Sequence, residues 1–130
     1  MKRFIFLSVV FLYGCAPSSM EEYRREGESL CRSFMQDLQK IETREDLVKT
    51  IPKIKRHYEE IADLIIEAHN FKKEHLGEAI DPWDSSDMLA SEALMLELKR
   101  IYRMEGGKEL MENAQKEALF RLDATIKNSR

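Results

Sequence analysis

Apolar side chains recur at alternating steps of four and three through Leu47, Ile51, Ile54, Tyr58, Ile61, Ile65 and Ala68. That rhythm draws one stripe along an α-helix and has no counterpart on a strand, where the period is two. A striped helix needs partners to cover its apolar face. The rest of the chain offers them. Met20, Tyr23, Gly27, Leu30, Phe34, Leu38 and Ile41 form an earlier stripe of the same kind. Leu89, Ala90, Ala93, Leu94, Leu98, Ile101 and Tyr102 form a third, and Leu110, Met111, Ala114, Ala118, Leu122 and Ile126 a fourth. Five glycines and three prolines in 130 residues leave little material for a loop-rich β-sandwich. A hydrophobic fraction of 43% is too high for wholesale disorder. The expected fold class is all-α: a small antiparallel bundle of about four helices, built as two helical hairpins.

The helix ends are written in local chemistry. Ser18 or Ser19 can cap the first helix, with Glu21 and Glu22 in the turn where the helix dipole favours negative charge. Thr43 followed by Asp46 resembles a capping box with Asp in the usual Glu position. Pro52 lacks the N–H that would bond back to Val48. The expectation is a short helix over 43–50 and a long one over about 51–75, a single helix continuing through Pro52 being the alternative. Asp81-Pro82-Trp83-Asp84-Ser85-Ser86-Asp87 marks a loop and a new cap. A third helix is expected over about 86–105, stopped by Gly106-Gly107, and a fourth over about 108–127.

The N-terminus has a different character. Met1-Lys2-Arg3 is basic, and the apolar run from Phe4 to Tyr13 follows it. Ten residues at 1.5 Å each cross only about half of a hydrocarbon core roughly 30 Å thick. The run therefore reads as the apolar part of a secretory signal. Leu12-Tyr13-Gly14-Cys15 resembles the lipobox of bacterial lipoproteins, an aliphatic residue followed two positions later by a small one and then a cysteine. The resemblance covers the first 15 residues. It implies cleavage between Gly14 and Cys15, with a diacylglyceryl group on the Cys15 sulfur and an acyl group, palmitate or similar, on the new amino terminus. It divides the chain into a signal peptide (1–14), a lipidated cysteine with a short tether (15–19) and a helical bundle domain (20–130). Removing Lys2 and Arg3 leaves 19 basic and 24 acidic side chains over 116 residues, a charge of −5. In the lipoproteins that this start resembles, Asp after the cysteine favours the inner membrane. Ala16 stands there, so an anchor in the outer membrane facing the periplasm is expected where the host has two membranes.

Motifs for chemistry are scarce. None of the three histidines, His57, His69 and His75, has a Glu three residues before it, and no His-Glu-x-x-His occurs. Neither a phosphate-cradling glycine loop nor a Gly-x-Ser-x-Gly elbow is present. No catalytic residue, metal site or cofactor is expected, and a mildly acidic chain gives no reason to expect nucleic acid. His57, beside Lys53 and Arg56, reads as a surface histidine. Cys31, with Cys15 lipidated, is left as the single thiol: a buried inert side chain, or one half of an intermolecular disulfide. Asp81, Asp84 and Asp87 lack the glycine and the distal Glu of a calcium loop. Lys49, Lys53, Lys55 and Arg56 read as a solvated basic face.

The candidate interface residues are Trp83, Met88 and Met95. Trp83 is the single tryptophan and falls in the longest loop, either packed as a lid or exposed as an anchor. Met88, Met95, Met104 and Met111 either fill core gaps or line an adaptable groove. These observations point to a lipid-anchored, non-catalytic envelope protein with a membrane attachment at Cys15 and a protein partner, self-association being left open. A second reading is a chaperone similar to the secretin pilotins, some of which are small helical lipoproteins that capture an amphipathic helix. A third is a carrier of a lipid or small apolar ligand.

Overall fold

The computed structural model describes residues 19–76 and 92–128. They form four helices and, among the described residues, no strand: α1 (Met20–Gln39), α2 (Arg44–Leu76), α3 (Glu92–Tyr102) and α4 (Gly107–Asn128). The protein is an all-α bundle.

Ser19 caps α1 from an extended backbone conformation, its hydroxyl accepting the Glu22 N–H at 3.2 Å. The helix buries Tyr23, Gly27, Cys31, Phe34 and Leu38. The Lys40 and Ile41 N–H groups then bond back to α1 carbonyls, and fully buried Ile41 closes that end of the bundle. The next helix starts with the expected box. Thr43 Oγ1 accepts the Asp46 N–H, and the Asp46 carboxylate accepts the N–H groups of Thr43 and Glu42, each at 3.1 Å. These backbone donors hold the Asp46 carboxyl below the usual carboxylate range. Replacing Thr43 by Ala should cost about 1 kcal/mol, read as a lowered urea midpoint with unchanged slope.

The break expected near Thr50 does not occur, for α2 is one helix of 33 residues with Pro52 inside it. Val48 and Pro52 are both exposed, so the missing bond falls on the solvent side, where water can serve the freed carbonyl. At the other hairpin the helix stops earlier than expected, at Tyr102. The Met104 N–H bonds to the Ile101 carbonyl, and the Gly107 N–H to that of Met104, tightening the chain into a turn. Gly106 carries it through φ +73°, a region that costs L side chains energy and glycine almost none. Gly107 opens α4 one residue before the expected start.

Four neighbouring pairs make the ring: α1 with α2, α2 with α4, α4 with α3, and α3 with α1. Tyr23 near the start of α1 meets Phe71 near the end of α2, ring centroids 5.4 Å apart, so the first hairpin is antiparallel. Lys55–Glu117, at 3.3 Å, and Asp63–Arg121 tie α2 to α4, which run the same way. Arg100 joins the two hairpins at their turns. Its guanidinium donates to the Leu38 and Ile41 carbonyls at 2.8 and 2.7 Å, and Glu97 holds it from one turn before. The core between the helices is filled by Phe34, Leu38, Ile41, Leu47, Ile54, Ile101 and Met111, all essentially inaccessible to water. Each contributes about 1.5–3 kcal/mol by burial.

Candidate functional site

The helices α3 and α4 separate above the Gly106 turn, and a cleft of about 340 Å³ lies between them. Its floor is Phe34 of α1 with Tyr58, Ile61, Ala62 and Ile65 of α2. Leu94, Met95, Leu98, Lys99 and Tyr102 form the α3 wall, and Gln115, Ala118, Leu119 and Leu122 the α4 wall. Small side chains at Ala62 and Ala118 leave part of this volume unfilled. Phe34, Ala62, Ile65, Leu94 and Ala118 are core residues, each under 5% exposed, so the cleft reaches into the bundle. Met95 and Leu119, 47% and 38% exposed, stand at its mouth.

The lining changes character along its length. Tyr58, Lys99, Tyr102 and Gln115 supply all its polar side chains and lie toward the two turns. From there Ile61, Ile65, Leu94, Met95 and Leu122 continue as hydrocarbon. Tyr102 hydrogen-bonds Gln115. Burial pushes the Tyr58 phenol up, and Tyr102 beside it adds to the shift. Burial raises Tyr102 as well, with Glu112 adding to it. No hydrogen bond of the Tyr58 hydroxyl and no ion pair of Lys99 is formed with any described residue.

Beneath the floor lies a polar pair that sequence reasoning placed wrongly. His57 is not a surface residue; it is buried, its Nε2 2.6 Å from the Asp37 carboxylate across the α1–α2 interface. The carboxylate can only accept, so Nε2–H donates. The imidazole stacks on Phe34 at 5.0 Å, and Phe34 meets Tyr58 edge-on at 5.1 Å. The misplaced signal is one of register. Ile54, His57 and Ile61 share the stripe as well as Ile54, Tyr58 and Ile61 do; Lys53, one turn before His57, stays exposed while its charge reaches the Asp37 carboxylate, and Arg56 is exposed as well.

The His57 hydrogen bond holds the Asp37 carboxyl below its ordinary value, against the opposing effect of burial. A depressed carboxyl contributes its stability in full above the unfolded value, near pH 4, and loses it as pH falls through the lower folded value. Asp37→Asn should therefore cost about 1–2 kcal/mol at neutral pH. Urea midpoints measured from pH 6 downward should converge for the two proteins below about pH 4.

The remaining sequence candidates divide clearly. Met95 lies on the cleft; Trp83, Met88, the lipobox with Gly14 and Cys15, and the aspartates at 81, 84 and 87 lie outside the described residues. Met111 is core and Met104 packs against it, so only Met95 among the described methionines of the second hairpin faces the cleft. Cys31 is 3% exposed and its thiol is pushed up by burial, with Glu28 adding to the shift, which suits an inert core side chain. Among the described residues no group of three or more His, Cys, Asp or Glu side chains is placed to hold a metal. No described helix is long and apolar enough to cross a membrane. Neither protein-family models nor curated proteins nor solved structures include one that matches this chain.

Proposed function

We propose that this chain is a lipid-anchored protein of the cell envelope that acts by binding a protein partner rather than by catalysis. The anchor rests on the lipobox-like Leu12-Tyr13-Gly14-Cys15 after a basic start and an apolar run. The binding role rests on one observation, an apolar cleft whose rim residues Met95 and Leu119 remain substantially exposed. Apolar surface of this kind gains free energy when a partner covers it. A flexible thioether at the mouth adapts to differently shaped partners. In a pilotin-like variant of this reading, the partner segment is an amphipathic helix laid along α3 and α4.

The test has two arms. Cys15→Ala should abolish incorporation of labelled palmitate and release the protein from membranes; retention in membranes without label would sink the anchor. A photo-crosslinking side chain at Met95 should trap one protein in intact envelopes, and Leu119→Glu should suppress the adduct. The same crosslinker at Val48, exposed on α2 outside the cleft, should not trap it. Equal labelling from both positions would remove the cleft from the partner interface.

The depth of the cleft favours a second reading, a carrier of a small apolar ligand. Its volume lies at the lower end of the range for small-molecule sites, about 300–1,000 Å³. Core side chains, rather than surface ones, form most of its floor.

A further inference from the structure

The cleft is polarised as well as deep, and that narrows what it can hold. Tyr58 lines the cleft, and a purely apolar ligand that shut its hydroxyl from water would leave it with no partner among the described residues, at a cost comparable to a lost hydrogen bond. It would also make no use of Lys99, an exposed residue of the α3 wall three residues before Tyr102, whose flexible stem lets its ammonium reach the mouth. A broad ligand does not suit the interior, because the space is bounded by adjacent helices α3 and α4 and floored by side chains of α1 and α2. What fits is slender and amphiphilic, with an acidic oxygen head at the Tyr58–Lys99–Tyr102 end. From Tyr102 to Leu94 the α3 wall runs eight residues, about 12 Å, with hydrocarbon beyond the polar end. Glu112, exposed near Tyr102, is an acidic group at this end, and water screens it.

We infer that the α3–α4 cleft binds a single-chain fatty acid, its carboxylate between the Lys99 ammonium and the Tyr58 hydroxyl and its tail along Ile61, Ile65, Leu98 and Leu122. The carboxylate takes a charge-assisted hydrogen bond from Lys99 and a neutral one from the phenol, which burial keeps protonated. The tail replaces water against a wall that is almost wholly hydrocarbon. This inference rests on the carrier reading and gives its ligand a chemical class.

The test uses the full-length protein in its own membranes, photolabelled with a diazirine analogue of dodecanoate, with labelled positions mapped by peptide mass spectrometry. Label is expected on Met95, Leu98 and Leu119. Unlabelled dodecanoate should compete, each methylene removed from the competitor raising the half-inhibiting concentration about fourfold. Lys99→Met should weaken competition by dodecanoate about tenfold and leave that by dodecanol unchanged. Ala118→Leu and, independently, Leu98→Trp should fill the cleft and abolish labelling, with helical circular dichroism and the melting temperature confirming that each variant is folded. Dodecanol competing as well as dodecanoate would overturn the carboxylate and leave the carrier reading standing. Label spread over the surface, unaffected by any competitor or filling variant, would overturn both.

Discussion

Gly107→Ala should be the most damaging small substitution in the described chain. A Cβ at this position would lie 1.9 Å from the Ile101 carbonyl oxygen, far inside contact distance, and the obstacle is backbone rather than a movable side chain. Both groups are fixed by the same turn, in which the Met104 N–H bonds to the Ile101 carbonyl and the Gly107 N–H to that of Met104. Relief requires opening the turn, and with it the approach of Ile101 and Met111, two residues with no exposure at all. The expected cost is about 3 kcal/mol, at the upper end for overpacking. For a domain of this size that lowers the melting temperature by roughly 12–24 °C. Gly106→Ala is the control. Its Cβ would meet only the Arg44 side chain at ordinary contact, so the penalty is that of positive φ, about 1 kcal/mol. A Gly107→Ala protein melting within a few degrees of the wild type would refute this account of the turn.

Arg100→Met should follow closely. The chain leaving α1 turns the Leu38 and Ile41 carbonyls toward α3, and the Arg100 guanidinium donates to both, Leu38 also accepting the Ile41 N–H. Methionine keeps most of the apolar stem and removes the donors. Two part-buried carbonyls then lose charge-assisted bonds, and Glu97 loses its partner. The expected loss is about 3 kcal/mol, discounted for the side chain's partial exposure to solvent. Arg100→Lys should recover part of it, since an ammonium cannot fork to two carbonyls and a carboxylate in one plane. Glu97→Gln separates the roles: a loss under about 1 kcal/mol shows that the carbonyl bonds, rather than the Glu97 pair, carry the effect.

The stripes, the Ser19 cap, the Thr43–Asp46 box and the glycine turn were legible because each is a local pattern. Periodicity and a cap residue depend on neighbours within one or two turns. Three features were not legible, and each depends on something outside that range. Pro52 is tolerated because α2 happens to turn Val48 and Pro52 to solvent, a fact of packing. His57 is buried because Asp37, twenty residues away in sequence, arrives opposite it. The cleft exists because Ala62 and Ala118, unremarkable members of their stripes, line the same space where α3 and α4 separate. Of the sequence's interface candidates, Met95 reaches this cleft; the Tyr58 hydroxyl and the Lys99 ammonium were missed because a half-buried tyrosine and a surface lysine carry no distinguishing local signal.

The two tight turns, at 40–43 and 103–106, share one end of the bundle, where Arg100 joins them. Ser19 therefore stands at the opposite end, the one toward which the hydrocarbon part of the cleft runs. A lipid on Cys15 would attach four residues before Ser19, a reach of at most about 14 Å. Anchored in this way, the Ser19 end of the domain would be held within that reach of the membrane. The hydrocarbon end of the cleft would lie toward the bilayer, with the Lys99 end directed away from it. An apolar chain leaving the lipid surface would then meet the cleft tail-side first, so loading would require the carboxylate to pass through the slot between Met95 and Leu119 rather than along the trough.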